Sequence, residues 1–257
     1  MIITLCGKGG VGKTTISAMI LDELARAGYS GPVLAVDGDP ASTLAMSLGL
    51  PTAEVTIADI RDNLQLDAKT VRDFPAGMSP AAYVQKQIKE TGVLNSYQLY
   101  DMPLDLITMG QSEGAGCYCS VNNALSLVLK KLINRYALIL IDNEAGLEHI
   151  SRYRLERADL FLVVTTPHPK ARSVAQRIME TAHGVNITIG ESLLVFNQTP
   201  PGFQSEQNGY PTIPLAIPLS TALAEIEALG KPVSELPAGD LVRQALHPIL
   251  ERITGKP

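Results

Sequence analysis

The chain has 257 residues, 46% of them hydrophobic, and its 21 basic and 26 acidic side chains give a formal net charge of −5. This composition indicates a globular protein with a large core, and an α/β chain of this length commonly folds as one domain, here predicted to span residues 1–257. The acidic balance, without a dense Lys/Arg block, argues against nucleic acid as a partner, because such binding depends on clustered cations.

The N-terminal segment does not resemble a signal peptide. It lacks a charged region followed by a long apolar stretch and a small-residue cleavage site. No segment approaches the roughly 18 apolar residues that a membrane span needs. We therefore expect a cytoplasmic protein.

The first predicted element is a strand that runs to Cys6, followed by a glycine-rich turn and a helix over residues 13–27. Four further apolar runs are continuous rather than alternating, which is typical of strands buried on both faces. These runs cover residues 33–36, 137–141, 160–164 and 193–196, and a polar residue follows each of them. The pattern predicts a doubly wound, mostly parallel α/β sheet with helices on both faces and a ligand site at the carboxyl edge.

Helical patterns lie between and after these strands. They cover residues 81–91, 121–134, 171–183, 221–229 and 241–253. Between residues 51 and 101 the pattern weakens, with scattered Pro and Gly, and we expect a mobile insertion there. Residues 199–210 are predicted to form a surface loop.

Residues 7–14, Gly-Lys-Gly-Gly-Val-Gly-Lys-Thr, fit the pattern G-x-x-x-x-G-K-[ST] between a predicted strand and a predicted helix, the context of a phosphate-binding P-loop. The backbone N–H groups would hold phosphate oxygens, Lys13 would neutralise the β and γ phosphates, and the Thr14 hydroxyl would ligate Mg²⁺. The residues expected to contact ATP or ADP here are Gly7, Gly9, Gly10, Val11, Gly12, Lys13, Thr14 and Thr15. A glycine-rich turn that matches by chance is the alternative.

An additional lysine, Lys8, stands at the start of the loop. The run Lys-Gly-Gly-Val-Gly-Lys-Thr-Thr over residues 8–15 resembles the deviant Walker A motif of the MinD, ParA and nitrogenase iron-protein superfamily. The resemblance implies an ATPase that forms a nucleotide-sandwich homodimer, in which Lys8 reaches the partner's nucleotide. Because a cation supplied in trans would stabilise charge on the transferring phosphoryl group, Lys8 and Lys13 are both candidate catalytic residues. A solvated loop lysine is the alternative for Lys8.

Acidic residues at two predicted strand ends extend the resemblance. Residues 37–39, Asp-Gly-Asp, resemble the superfamily's switch I, which implies that Asp39 lies near the γ-phosphate. There it could hold Mg²⁺-bound water or orient the attacking water, whereas Asp37 is also explained as a turn cap. Asp142 resembles the Mg²⁺-associated aspartate of the superfamily, and Gly146, in a candidate switch II, could donate its N–H to the γ-phosphate.

Two residues further along resemble the part of the superfamily that surrounds the base. Asn197 resembles the asparagine that contacts adenine, and Pro218 lies in a segment with the spacing of the part that packs around the ring. Adenine is favoured over guanine because no Asn/Thr-Lys-x-Asp motif follows the strand. An asparagine that closes a turn is the alternative for Asn197.

Cys117 and Cys119 form a Cys-x-Cys pair just before the predicted helix at residues 121–134. In the nitrogenase iron protein a cysteine before the same helix helps to bind a [4Fe–4S] cluster, but the second cysteine of that site is missing here. The pair instead resembles that of the CooC maturation ATPases of nickel carbon monoxide dehydrogenase. Because a closed tetrahedral site needs four ligands, two chains related by a twofold axis would each supply two thiolates to Ni²⁺ or Zn²⁺. An unreactive pair or a disulfide is the alternative.

The resemblance thus implies an ATP-dependent metallochaperone whose partners are a second copy of the chain and a client metalloenzyme, nickel carbon monoxide dehydrogenase. A MinD/ParA-like positioning or interaction ATPase and an iron–sulfur reductase component are the alternatives. The helical pattern at residues 241–253 lacks the basic face of a membrane-surface helix, so no stable membrane anchor is predicted. His149 is a further candidate metal ligand, although lone histidines more often only form hydrogen bonds.

Overall fold

A computed structural model describes residues 1–39, 41–59, 86, 92–110, 132, 134–143, 157–182, 187–204 and 214–255. The predicted site residues that lie outside these ranges are Cys117, Cys119, Gly146 and His149. Most of the predicted helices at residues 81–91 and 121–134 lies outside them too. The cysteine site and most of switch II therefore stay predictions.

The strands are β1 (Ile2–Gly7), β2 (Val33–Gly38), β3 (Leu94–Leu99), β4 (Met102–Thr108), β5 (Leu138–Asn143), β6 (Arg157–Thr165), β7 (Thr188–Thr199) and β8 (Leu215–Pro218). Within the described ranges they form one sheet in the order β3-β4-β2-β5-β1-β6-β7-β8. β3 pairs antiparallel with β4, and the other neighbouring strands pair in parallel. The mostly parallel sheet that the sequence predicted is confirmed.

The helices are α1 (Lys13–Arg26), α2 (Leu44–Ser47), α3 (Pro169–Ala182), α4 (Thr221–Ala228), α5 (Leu241–Ala245) and α6 (His247–Thr254), with a 3₁₀ turn at Val233–Glu235. Helix α1 belongs to a core that contains Ile3 and Leu5 of β1. Helix α3 packs against Phe161 and Val163 of β6 in a separate core on the other face. Helices therefore cover both faces of the sheet. None of the helices in the described ranges is long and apolar enough to cross a membrane.

Five of the strands match the apolar runs found in the sequence, and three do not. Every residue of β1, β2 and β5 is buried, which explains their continuous apolar sequences. β3, β4 and β8 were not predicted. β3 lies at the edge of the sheet, and all its residues except Leu99 are at least partly exposed. Because β3 falls within residues 51–101, the end of the predicted insertion belongs to the sheet; the mobility of this range stays a prediction.

The C-terminal pattern at residues 241–253 predicted one helix, but the structure contains two, α5 and α6, on either side of Leu246. Pro248 lies in the first turn of α6. Proline lacks the N–H that would continue the helical hydrogen-bond ladder, whereas a first helical turn tolerates it. The proline thus accounts for the division.

Strand β7 extends further than the apolar run indicated. It continues to Thr199, so that Asn197 lies inside the strand rather than after it. The pairing with β8 shifts register between Phe196 and Thr199, and Gln198 has a φ of 57° in this stretch. The irregularity sets Asn197 at the carboxyl edge of the sheet, close to the phosphate loop.

Candidate functional site

The phosphate loop connects the carboxyl end of β1 to α1, which begins at Lys13. Gly12 precedes the helix with a φ of 87°, a left-handed conformation that glycine adopts without steric cost. No side chain caps the first turn of α1, and residues 8–10 are exposed. The N–H groups at this helix start are therefore available to an anion from solvent.

Asn197 of β7 holds the loop from the side. Its Nδ2 donates a hydrogen bond to the carbonyl oxygen of Val11 at 2.9 Å, and its Oδ1 accepts one from the N–H of Gln198 at 2.9 Å. A Cβ atom at Gly12 would lie 2.4 Å from the same Nδ2. Asn197 therefore supports the loop, a role that the sequence did not reveal, and its contact with adenine stays a prediction.

The two lysines of the loop have different environments. Lys13 is buried, and its Nζ donates to the carbonyl oxygen of Lys8 at 3.3 Å. The side chain of Lys8 is exposed. The Lys13 ammonium thus lies folded over the loop, where a phosphate would bind, whereas Lys8 is accessible to a second molecule.

Asp37 and Asp142 face each other on the adjacent strands β2 and β5, and both are fully buried. Burial raises the pKa of Asp37 to about 6, although hydrogen bonds from the N–H groups of Leu44 and Asp39 act to lower it. Burial also raises the pKa of Asp142 to about 7, while the Thr14 hydroxyl acts to lower it. Two adjacent buried carboxylates need a proton or a cation to offset their charge.

The turn after β2 separates the roles of its two aspartates. Asp37 Oδ1 accepts the N–H of Asp39 at 3.2 Å, and its Oδ2 accepts the N–H of Leu44 at 2.9 Å. Asp39 is half-buried, and its Oδ1 accepts the N–H of Ala41 at 2.8 Å. Asp37 therefore closes the turn, and Asp39 is the more accessible of the two; its catalytic role stays a prediction.

The surroundings of Asp142 fit a magnesium ion. Neither of its carboxylate oxygens has a hydrogen-bond partner within the described part of the chain. The hydroxyl of Thr14 lies beside this carboxylate. Hydroxyl and carboxylate oxygens are hard donors of the kind that Mg²⁺ prefers. The orphaned oxygens and the adjacent hydroxyl thus form a suitable donor set.

A cavity of about 250 Å³ adjoins the phosphate loop. The predicted nucleotide contacts that line it are Gly10, Gly12, Thr15, Asn197 and Pro218. The lining residues that were not predicted are Gln198, Leu219, Ser220, Leu223, Ala224 and Glu227. Among these, Glu227 accepts a short hydrogen bond through Oε1 from the Thr15 hydroxyl. Apolar side chains such as Leu219 and Leu223 can pack on a planar base, and the polar side chains of the lining can form hydrogen bonds with its edge.

The described ranges contain no cluster of three or more His, Cys, Asp or Glu side chains that could hold a metal ion. Cys6 is buried, and burial raises the pKa of its thiol to about 12. Since the thiolate is the form that ligates metals, the buried thiol of Cys6 is a poor candidate ligand. Any thiolate site would have to use Cys117 and Cys119.

Residues 1–195 match a protein family described as AAA domain. The chain belongs to this family. Over its whole length it is 34% identical to an uncharacterized ATP-binding protein of Methanocaldococcus jannaschii, 99% of which is covered. It is 28% identical over 199 residues to the carbon monoxide dehydrogenase accessory protein CooC of Rhodospirillum rubrum, covering 73% of this chain and 71% of CooC.

Among solved structures, the septum site-determining protein MinD of Pyrococcus horikoshii, complexed with Mg-ADP, superposes with a TM-score of 0.69 at 21% identity. The superposition covers 98% of this chain and 95% of MinD. This likeness shows a P-loop fold of the MinD/ParA type, as the deviant Walker A motif predicted.

The match to the AAA domain family ends at residue 195, before several residues of the cavity. Asn197 and Pro218 were found through their resemblance to a base-binding segment, but Leu223 and Glu227 belong to no motif. Their only sequence signal was the helical pattern at residues 221–229, which gives no indication of which side chains face the loop. The tertiary packing of α4 was needed to identify them.

Proposed function

We propose that the chain binds ATP with Mg²⁺ at the phosphate loop and hydrolyses it to switch a homodimer between conformations. The observation that supports this best is one arrangement: the buried Lys13 ammonium, the orphaned carboxylate of Asp142 and the adjoining cavity all lie around the same helix start. A polyphosphate, its cation and a base would each meet a suitable surface there. We place this activity in the cytoplasm.

In this proposal the loop residues from Gly7 to Thr15 bind the phosphates, and Lys13 neutralises the β and γ groups. Thr14 and Asp142 would hold the magnesium ion, which supplies positive charge to the phosphate oxygens when it is bound. Asp39 would orient the attacking water, and the N–H of Gly146 would contact the γ-phosphate. The cavity beside Asn197 and Pro218 would take the adenine.

The exposure of Lys8 supports the homodimer in this proposal. A lysine on an accessible loop beside the phosphate site can contact a nucleotide bound to a second chain. Such a contact would add a cation to the transferring phosphoryl group only in the closed dimer. Hydrolysis would then depend on dimer closure, as a conformational switch requires.

The client in this proposal is a nickel enzyme, carbon monoxide dehydrogenase, and nickel is the cargo. Two facts support it: the similarity to the CooC accessory protein and the Cys-x-Cys pair at Cys117 and Cys119. Zn²⁺ would compete for these thiolates, because ligand softness does not separate it strongly from Ni²⁺. A positioning ATPase is the second candidate, favoured by the structural likeness to MinD, and an iron–sulfur reductase component is the third.

Two lysine substitutions test the switch. Lys13→Ala is expected to abolish ATP binding, measured by calorimetry with Mg²⁺ present. Lys8→Ala is expected to keep ATP binding to the single chain but to lose hydrolysis by a factor of roughly 10³ or more, the size of effect that a trans cation supplies.

The matched control is Lys170→Ala, which removes an exposed lysine at the start of α3. It should bind and hydrolyse ATP as the wild type does. Wild-type turnover by Lys8→Ala would contradict the sandwich dimer, and wild-type binding by Lys13→Ala would contradict the ATP site itself.

A further inference from the structure

An unusual group of buried polar atoms lies beneath the phosphate loop. In the described ranges, the buried side-chain polar atoms without a hydrogen-bond partner are Ser17 Oγ, Asp22 Oδ1, both carboxylate oxygens of Asp142, and Asn143 Oδ1. All except the Asp22 atom belong to the region between α1 and the end of β5. Folded proteins seldom leave such atoms unpaired, so this concentration calls for an explanation.

Ser17 is the least expected member of this group. It is fully buried in α1, one turn after the residues that begin the helix. A serine inside a helix commonly donates its hydroxyl to the carbonyl four residues earlier, as Ser47 does to Thr43 at 3.0 Å. The hydroxyl of Ser17 makes no such bond. It therefore remains available to another acceptor.

Helix α1 packs against β5, and the buried carboxylate of Asp142 lies close enough to the Thr14 and Ser17 hydroxyls for both to lower its pKa. The main chain behind that carboxylate is held firmly: Nδ2 of Asn143 donates to Thr4 Oγ1 at 2.6 Å and to the carbonyl oxygen of Leu5 at 3.0 Å. The strand behind Asp142 is thus held in place, while neither oxygen of its carboxylate has a hydrogen bond of good geometry within the described ranges.

Few groups could restrain that side chain. The facing carboxylate of Asp37 cannot donate when charged, and its oxygens already accept two backbone N–H groups. The Lys13 ammonium is directed to the carbonyl of Lys8. The Thr14 hydroxyl is assigned to the cation in the proposed function. Among the described neighbours, this leaves the hydroxyl of Ser17.

We propose that Ser17 is a positioning residue for Mg²⁺: its hydroxyl donates to one oxygen of Asp142 and so holds the other toward the cation and its bound water. This inference rests on the proposed ATP site and adds a residue to it. Groups that orient ligands of a metal in this way typically change metal affinity by roughly 10- to 100-fold when they are removed.

The test is Ser17→Ala in the full chain, with a fluorescent N-methylanthraniloyl ATP as the probe. The Mg²⁺ concentration at half-maximal Mg²⁺-dependent binding should rise by roughly 10-fold or more. Binding of the probe in EDTA should stay at the wild-type level. The Tm without nucleotide should be unchanged or higher, because an unpaired buried hydroxyl is removed, whereas the Tm increase caused by Mg-ATP should shrink.

Two further variants complete the experiment. Ser17→Thr keeps the hydroxyl and should keep the Mg²⁺ requirement close to wild type. Ser47→Ala removes a helical serine that already has its bond, and should change neither measurement.

The outcomes separate the two levels of the proposal. If the wild type shows no Mg²⁺-dependent binding of the probe, the ATP site itself is wrong. If the wild type binds and Ser17→Ala has the wild-type Mg²⁺ requirement, the positioning role alone is wrong. A variant that loses Tm and binding in EDTA to the same degree would show a purely structural serine and would also overturn the inference.

Discussion

Gly12 meets two separate requirements at one residue. Its φ of 87° lies where other residues lose roughly 1–2 kcal/mol, and a Cβ atom there would lie 2.4 Å from Nδ2 of Asn197. That amide is itself fixed by its bond to the carbonyl of Val11. The shape of the phosphate loop therefore depends on a residue of β7 that is distant in sequence.

Gly12→Ala is expected to lower the free energy of unfolding by roughly 2–5 kcal/mol, as the sum of backbone strain and overpacking, and to weaken nucleotide binding. Urea denaturation and calorimetry would measure the two effects. Gly239→Ala is the matched control, because no heavy atom lies within 4 Å of a Cβ at Gly239, which is outside the predicted site. Adding Asn197→Ala to Gly12→Ala should recover part of the unfolding free energy that the clash with Nδ2 costs. Equal effects of the two glycine substitutions would contradict this account.

Among individual site residues, the sequence identified those that a phosphate-binding motif specifies and missed those that act through tertiary packing. Lys13, Thr14 and Asp142 have fixed spacing from strand ends, so a pattern could find them. Ser17 is a serine within a helix, and nothing in its neighbours along the chain indicates that its hydroxyl faces Asp142. The packing of α1 against β5 brings the two together.

Helix α5 is tied to α1 by a buried ion pair. Arg243 donates through Nη1 to Asp22 at 2.8 Å and makes a short bond to Glu23, and its Nη2 donates to the carbonyls of Val233 and Leu236. The side chains of Arg243 and Asp22 are only 4% and 1% exposed. Charges this deeply buried depend on their partners.

Arg243→Met is expected to cost roughly 3–5 kcal/mol of unfolding free energy, because two carbonyl groups lose their buried donor and Asp22 keeps only the partly exposed Arg26 as an ion-pair partner. Arg252→Met is the control: Arg252 pairs with Glu191 at the surface, with exposures of 36% and 41%, and its loss should cost roughly 1 kcal/mol or less. Denaturant titration compares the two. A double variant, Asp22→Leu with Arg243→Met, should recover part of the unfolding free energy lost in Arg243→Met. If Arg243→Met and Arg252→Met lowered the unfolding free energy equally, burial would not determine the cost of losing an ion pair.

The strands that are buried at every position could be predicted from the sequence, and those of mixed exposure could not. The continuous apolar runs of β1, β2 and β5 have no exposed positions, and the sequence showed them plainly. β3 alternates partly buried and exposed positions at the sheet edge, where a short run of mixed polarity resembles a loop. The division between α5 and α6 was marked by Pro248, but the pattern of apolar residues continued across it.

For the whole molecule, the proposed metal site predicts one divalent ion per two chains. A single chain offers two nearby thiols, and a closed tetrahedral site needs four ligands, at about 2.3 Å for zinc and sulfur. The Cys117→Ser, Cys119→Ser double variant should lose both the metal and the dimer that forms with metal in the absence of ATP. Elemental analysis and light scattering give metal content and mass.

Cys6→Ala is the control for this experiment, since the raised pKa of Cys6, about 12, keeps its thiol protonated. It should retain the metal. Because thiolates must lose their protons to ligate, metal affinity of the wild type should fall as the pH drops. One tight metal in every monomer, or full metal binding by the double variant, would rule out the bridging site and leave the positioning ATPase as the better proposal.

The cavity beside the phosphate loop joins two distant parts of the chain. The hydrogen bond from Asn197 to Val11 spans 186 positions, and the one from Thr15 to Glu227 spans 212. A ribosome releases the phosphate loop before α4, because synthesis proceeds from the N-terminus. A growing chain therefore displays its phosphate loop long before the wall formed by α4 exists. In the proposed function, a partly made chain that lacks β7 and α4 would therefore hold the phosphate loop without the wall of the cavity.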